Sequence, residues 1–336
     1  MRDFWVDLTH ERGMIAGHVT MPLVPDASIV IATRNRLPLL RRAVATALAQ
    51  EGDHEVLVLA DASDDGSAAL LAAEFPAARV ERSPVQRGAV ALRNRGAELA
   101  TGRILISLDD AAELPSPWTV AQTLAAFDDE RVGAVTVPLL QPAHGTQLFQ
   151  AAPSAEGAWC TFPYIAACAA VRRDVWMAAG GFRPNPVRRA NEEPELLLRL
   201  LDAGFVCRLG TADPAVHNEA ADRDWASIWR HDFRNEVLHA WWYAPGIALP
   251  ARVARITAHA LVRGLQLRRP LPFLRGVGAG LVAAARDRRG RAPISRGAWR
   301  AAMRCSRSPT AIEDLGPLLP APSLDALAER ARQLPS

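Results

Sequence analysis

Lysine is absent: all 39 basic residues of the 336-residue chain are arginine, which reflects a GC-rich coding bias and carries no functional content. Long apolar runs are absent as well. No 18 consecutive apolar residues occur, which argues against a membrane-spanning helix. Cysteine is scarce, and Cys160, Cys168, Cys207 and Cys305 form no CxxC pair and no regular spacing. That usage suits a reducing compartment. The first residues, MRDFWVDLTHERG, lack a basic stretch followed by an apolar one, so no secretory signal is expected and a cytoplasmic setting is the default. No internal repeat at solenoid or propeller spacing is found. With 49% hydrophobic and 22% charged residues, the chain is not of the disordered or low-complexity class.

The net charge of +3 hides an asymmetry. Ala251 to Ser308 holds 14 arginines against one acid, Asp287, or +13; the rest of the chain is −10. A basic segment on an acidic body suggests an anionic partner surface, or a solvated helical region in an arginine-rich protein.

The first half alternates strand and helix. Ser28–Ala32 is a β-branched run ending at Thr33-Arg34-Asn35-Arg36, and a helix follows from about Pro38. Glu55–Ala60 is a second strand, closed by Asp61-Ala62-Ser63-Asp64-Asp65-Gly66-Ser67. A helix over 68–75, a strand at 79–82 and a helix over 88–100 come next. Arg103–Leu108 is a further strand ending in Asp109-Asp110, followed by a helix near 117–127 and a strand at 132–138. This alternation predicts a doubly wound, parallel α/β sheet, whose ligands sit at the C-terminal strand ends. Each polar cluster alone is compatible with a turn or a cap; three at consecutive strand ends point to a site. Adjacent carboxylates such as Asp109 and Asp110 repel unless a cation lies between them, and Mg²⁺ or Mn²⁺ with ligand phosphates is the usual answer. Gln86–Asn94 adds guanidinium groups near a helix start, where a phosphate is favoured.

The segments SIVIATRNR, VLADASDDGS, GAVALRNRGAELATG and ILISLDDAAELP resemble the family 2 glycosyltransferases of the GT-A fold. VRRDVWMAAGGF is similar to that family's F-R-R-x₆-G-G-F segment. Asn191–Leu200, followed by Asp202-Ala203-Gly204-Phe205, resembles G-E-D-x-[DE]-L-x-x-R-L-x-x-A-G-[YF]. The resemblance spans 28 to 217. It implies a GT-A-type, mainly parallel sheet with flanking helices, followed here by a helical C-terminal region. It implies that Asp61 recognises the nucleotide base, with Thr33 and Arg36 lining the same pocket, and that Arg93 and Asn94 lie near the ribose and diphosphate. Asp110, with Asp109, holds a divalent cation, Mn²⁺ or Mg²⁺. Glu193 stands at the general-base position with Glu192 beside it, and His217 where many members carry a histidine near the metal. The reaction so implied is inverting transfer of a sugar from a nucleoside-diphosphate sugar to a hydroxyl on a natural product, polysaccharide or lipid-linked glycan. The carboxylate takes the acceptor proton in a single displacement. No nucleic-acid partner is expected.

The departures carry information too. Ala60 and Ala62 replace the first acid and the glycine of D-D-G-S, and Ala111 and Ala112 stand where a third acid usually follows. Two alignments are open: Asp110 is the metal ligand, or that ligand is lost to Ala111, so metal dependence is in question. Glu193 replaces the commoner Asp; alone, Glu192-Glu193-Pro194-Glu195 would read as an acidic helix start. A catalytically impaired nucleotide-sugar-binding protein is therefore the alternative.

Elsewhere, Gly276-Val277-Gly278-Ala279-Gly280 follows no strand and reads as helix packing or a loop. His231-Asp232 reads as a surface pair, and Trp241-Trp242-Tyr243 as core. Trp159, Cys160, Phe162 and Tyr164 fall where an acceptor pocket forms in the resembled family, or in the core. From Ala251, the apolar stripe Val253, Ile256, Ala260, Gly264, Leu267 runs beside Arg252, Arg255, His259 and Arg263. It fits a helix on an anionic membrane, giving peripheral contact through 251–308 at the inner membrane face, and equally a helix packed on the catalytic domain with a wet basic edge. The expected organisation is an extension at 1–27, a nucleotide-sugar half at 28–115, an acceptor half at 116–220, a basic helical region at 221–308 and a loosely tethered Pro-rich tail at 309–336.

Overall fold

The computed structural model describes residues 6–7, 24–183, 192–218 and 224–334. The N-terminal segment MRDFWVDLTHERG, apart from Val6–Asp7, and Asn191 lie outside the described residues. The chain divides into two compact units: residues 1–157, 165–177 and 208–219, and residues 158–164, 178–207 and 220–336.

In the first unit, strands β1 (Ala27–Thr33), β2 (His54–Asp61), β3 (Arg79–Ser83) and β4 (Ile104–Asp109) run parallel in the order β3-β2-β1-β4. Their near-continuous aliphatic runs, with Ile29, Ile31, Leu57 and Leu59 wholly buried, are what a sheet covered on both faces requires. Helices α1 (Leu37–Leu48), α2 (Ser67–Glu74) and α3 (Ala89–Leu99) make the crossovers. α1 begins with proline in its first turn and buries Leu40, Ala43, Val44 and Ala47. α3 lies so close to β1 that a Cβ at Gly96 would stand 2.3 Å from Val30 Cγ1.

Three further pieces matter for the site: β5 (Ala112–Glu113), β6 (Val132–Thr136) and β7 (Cys168–Arg172). β7 runs antiparallel between β4 and β6, so the sheet is mixed and mostly parallel. The sequence pattern, whose strands end at 132–138, places none at Cys168–Arg172. β8 (Ala215–His217) pairs antiparallel with β5, placing His217 opposite Ala112.

The second unit is mainly helical: α4 (Glu193–Asp202), α5 (Trp225–Tyr243), α6 (Leu249–Gln266), α7 (Pro270–Arg286) and α8 (Arg296–Cys305). α5, α6 and α7 close around Phe233, Val237, Ile256, Ala260, Phe273 and Val277. The glycine-rich run is helix packing: a Cβ at Gly276 or Gly280 would meet the carbonyls of Arg230 or Arg234 at 2.5 and 2.7 Å. The Pro-rich tail is docked, correcting the expectation of a loose tether. Thr310–Ala311 pairs with Trp159–Cys160, Leu327 is buried, and Arg330 meets Asp202 at 2.8 Å.

Candidate functional site

The polar strand ends of the first unit converge as the alternating pattern predicts, and the structure assigns them partners. Thr33 closes β1, and its hydroxyl donates to Asp110 Oδ2 at 2.8 Å; Arg36 Nη1 donates to Asp110 Oδ1 at 3.0 Å. Asp110 is therefore a buried hub held by two neighbours. Burial, the charge of Asp109 and a hydrogen bond to it push the Asp110 carboxyl up to about 7, against the pull of Arg36 and Thr33. Asp109 moves the other way. Its burial is outweighed by the hydrogen bond from Asp110 and by the charges of His217 and Arg93, which hold it below the usual carboxylate range.

Asp109 faces His217, whose Nε2 lies 3.8 Å from Asp109 Oδ2. The other ring nitrogen of His217 meets the Gln141 amide at 3.3 Å. The β5–β8 pairing sets this arrangement, extended by the Asn218 N–H donating to Ala111 O at 2.9 Å and Asn218 Nδ2 to Glu113 at 2.9 Å. Sequence reading missed Gln141, Asn218 and Glu113, since their roles depend on a strand pairing across about a hundred residues. Two ligands ~2.1 Å from one ion stand ~3.0–4.2 Å apart, so Asp109 and His217 fit a divalent cation of the Mg²⁺ or Mn²⁺ type. No cluster of three or more His, Cys, Asp or Glu suited to a metal occurs among the described residues.

Asp61, buried at the end of β2, accepts from the backbone N–H groups of Arg87 at 2.6 Å and Gly88 at 3.0 Å. These amides lead into α3, so the anion that a helix start favours is here the protein's own carboxylate. Asp61 therefore braces the loop before α3. Across the crevice lip, Asn35 and Asp64 exchange two hydrogen bonds, Nδ2 to Oδ1 at 2.7 Å and N–H to Oδ1 at 3.0 Å, tying the β1 and β2 loops together. Arg93 and Asn94, half-buried on α3, complete the cluster, with Arg93 near enough to act on Asp109.

In the second unit, Glu192 immediately precedes α4 and Glu193 is its first residue; both are half-buried. A cavity beside them is lined by Phe162, Pro163, Pro194, Glu236, His239 and Trp299. Burial pushes His239 down to about 4, opposed by Glu195, so its imidazole is neutral. Glu195 itself is wholly internal. It pairs with Arg199 at 2.7 Å, accepts from the Tyr243 hydroxyl and from the Arg183 N–H at 3.3 Å, and fixes α4 to α5. Asp232, read from sequence as part of a surface pair, is half-buried, and burial with the charges of Glu236 and Glu192 pushes it up to about 7.

The chain is similar to known proteins. Residues 28–177 match the model of Glycosyl transferase family 2. A succinoglycan biosynthesis protein, ExoO of Rhizobium meliloti, is 41% identical over 88 residues, 26% of this chain; the match spans a quarter of that relative's length. The mannosyltransferase PcManGT from Pyrobaculum calidifontis, solved with GDP-Man and Mn²⁺, superposes over 93% of this chain and 87% of its own. Its TM-score is 0.54 and its identity 21%. GalNAc-T7, solved with UDP, GalNAc and Mn²⁺, covers 67% of this chain and 49% of its own, at TM-score 0.55 and 14% identity. Residues 28–177 are thus similar to a glycosyl transferase family 2 domain, and the fold is GT-A-like.

Proposed function

We propose that the protein transfers a sugar from a nucleoside-diphosphate sugar to a hydroxyl acceptor, with inversion at the anomeric carbon. The observation that carries this reading is the Thr33–Asp110–Asp109–His217 chain at the strand ends of the region similar to family 2. Asp109 and His217 would hold the cation, and Thr33 and Arg36 fix the position of Asp110 beside them. A divalent cation bound there would neutralise charge building on the departing diphosphate. Arg36 and Arg93 add fixed positive charge to the same crevice. Thr33, Asp61 and Asn94 orient the nucleotide. Glu193 takes the acceptor proton, with Glu192 beside it. The cavity next to Pro194 offers apolar walls and a neutral imidazole, suited to an acceptor presenting a hydroxyl on a largely apolar or ring-shaped body. That both structural relatives were solved with Mn²⁺ and a nucleotide or nucleotide sugar supports the donor class.

Glu193→Gln is expected to lower kcat by about 10²–10⁴-fold while leaving nucleotide affinity unchanged by calorimetry. Wild-type turnover in that variant would remove Glu193 from the role. The second reading, a nucleotide-sugar-binding protein without turnover, is favoured by Ala111, which stands where the resembled family usually carries an acid, and by Glu193, which stands where aspartate is commoner. Nucleotide binding with no transfer from any nucleotide sugar would establish it.

A further inference from the structure

We propose that the outward face of the α6–α7 hairpin docks on an anionic lipid surface. The apolar stripe legible in the sequence is largely consumed inside the protein, with Ile256, Ala260 and Gly264 buried in the α5–α6–α7 packing. What faces water is a second stripe. On α6, Ala258, Leu261, Val262 and Leu265 recur at helical spacing, about half a turn round from Ile256. Val262 is 51% exposed and Leu265 61%. On α7, Leu271, Leu274, Leu281 and Val282 are exposed; Leu271 and Val282 lie about half a turn round from the buried Phe273, and Leu274 and Leu281 flank the buried face, with Leu271 59% exposed. The three residues 267–269 join the helices, so both stripes belong to one hairpin. Half of the 18 exposed large apolar residues among those described fall between Ile247 and Val282. Scattered surface leucines need no explanation; two aligned stripes on adjacent helices do.

Charge identifies the occupant. Arg263, Arg268, Arg269 and Arg275 are exposed around the stripes. The only acid in 251–308, Asp287, is turned to internal duty, accepting from Trp242 Nε1 at 2.6 Å and from the Gly290 N–H at 2.9 Å. A second copy of this face would oppose arginine with arginine, whereas lipid phosphates pair with guanidinium groups in bidentate fashion. No helix among the described residues is long and apolar enough to cross a membrane, so the hairpin would lie in the interface. The inference stands apart from the glycosyl-transfer reading.

The test is flotation of the full chain with vesicles of phosphatidylcholine alone, or of equal parts phosphatidylcholine and phosphatidylglycerol. Binding to the anionic vesicles, on the order of tenfold tighter than to the neutral ones and weakened by salt, is expected. The double variant Leu265→Glu/Leu271→Glu should lower that affinity by about tenfold or more, and Arg268→Gln/Arg269→Gln on the order of tenfold. Circular dichroism and Tm should not change, because all four side chains are exposed. Absent or equal binding to both vesicles overturns the proposal, as do variants that bind like the parent. So does a dimer, seen by light scattering, that the leucine variants dissociate without affecting flotation.

Discussion

Two residues at the crevice lip adopt the left-handed backbone without being glycine: Asn35 at φ 54° and Ala62 at φ 50°. Asn35 has the reciprocal bonds with Asp64 to support it. Ala62 has only its N–H, donated to Ser83 O at 3.0 Å, and carries a strain of about 1–2 kcal/mol. Ala62→Gly should therefore raise stability by up to about 1 kcal/mol in denaturant unfolding, after the entropy of the added glycine is deducted. Thr33→Val removes one of the two partners of Asp110 and should cost about 1–3 kcal/mol by the same measurement. Asp109→Asn should abolish any Mn²⁺-dependent rise in Tm while sparing the fold, because Asp109 is the half-exposed member of the pair.

At the scale of elements, the strut from α4 to α5 governs the second unit. Arg199 donates to Glu195 at 2.8 and 2.7 Å, to Gly181 O at 2.7 Å and to Ala179 O, all within the interior. Arg199→Met leaves Glu195 buried with its charge uncompensated and should cost about 3–5 kcal/mol, enough to compromise folding of this unit. Tyr243→Phe, which removes one donor and keeps the packing, is the milder probe at about 1–3 kcal/mol. α5 also carries a pH response. The folded Asp232 has its pKa raised to about 7, so between about pH 4 and 7 the native state binds a proton that the unfolded chain does not. Stability from this group therefore falls as pH rises through that window and is flat above it. Glu236, itself raised by burial and 3.6 Å from Arg252, and Glu192 are the charges responsible. Asp232→Asn should raise Tm at pH 8 more than at pH 4, measured by thermal melts across the range.

For the whole molecule, donor binding is read most directly as a change in melting temperature. A nucleotide at about 100 times its Kd stabilises by ~2.7 kcal/mol, which in a chain of this size is several degrees. A rise with one of UDP, GDP, dTDP or CDP only when Mn²⁺ or Mg²⁺ is present would name the donor base and place the cation at Asp109 and His217. A rise without metal would leave the diphosphate to Arg36 and Arg93. The alternating half of the fold was legible because aliphatic runs and helical spacing are local properties: β1 to β4, α1 to α3 and their polar ends stand within a few residues of where the pattern places them. The antiparallel insertion of β7 and the docking of the tail were not legible, because pairing direction and partner lie outside any local window. The same division runs through the site. Residue type and order alone placed Thr33, Asp61, Asp109 and Asp110 at strand ends and marked 251–308 as basic. Only the folded chain decided that Asp110 is held by Thr33 and Arg36, that Asp61 binds the amides before α3, that His217 meets Asp109, and which apolar stripe of α6 is buried. Type and period are written along the chain, but burial, protonation and partner are set by residues distant in sequence that folding brings within a few ångströms.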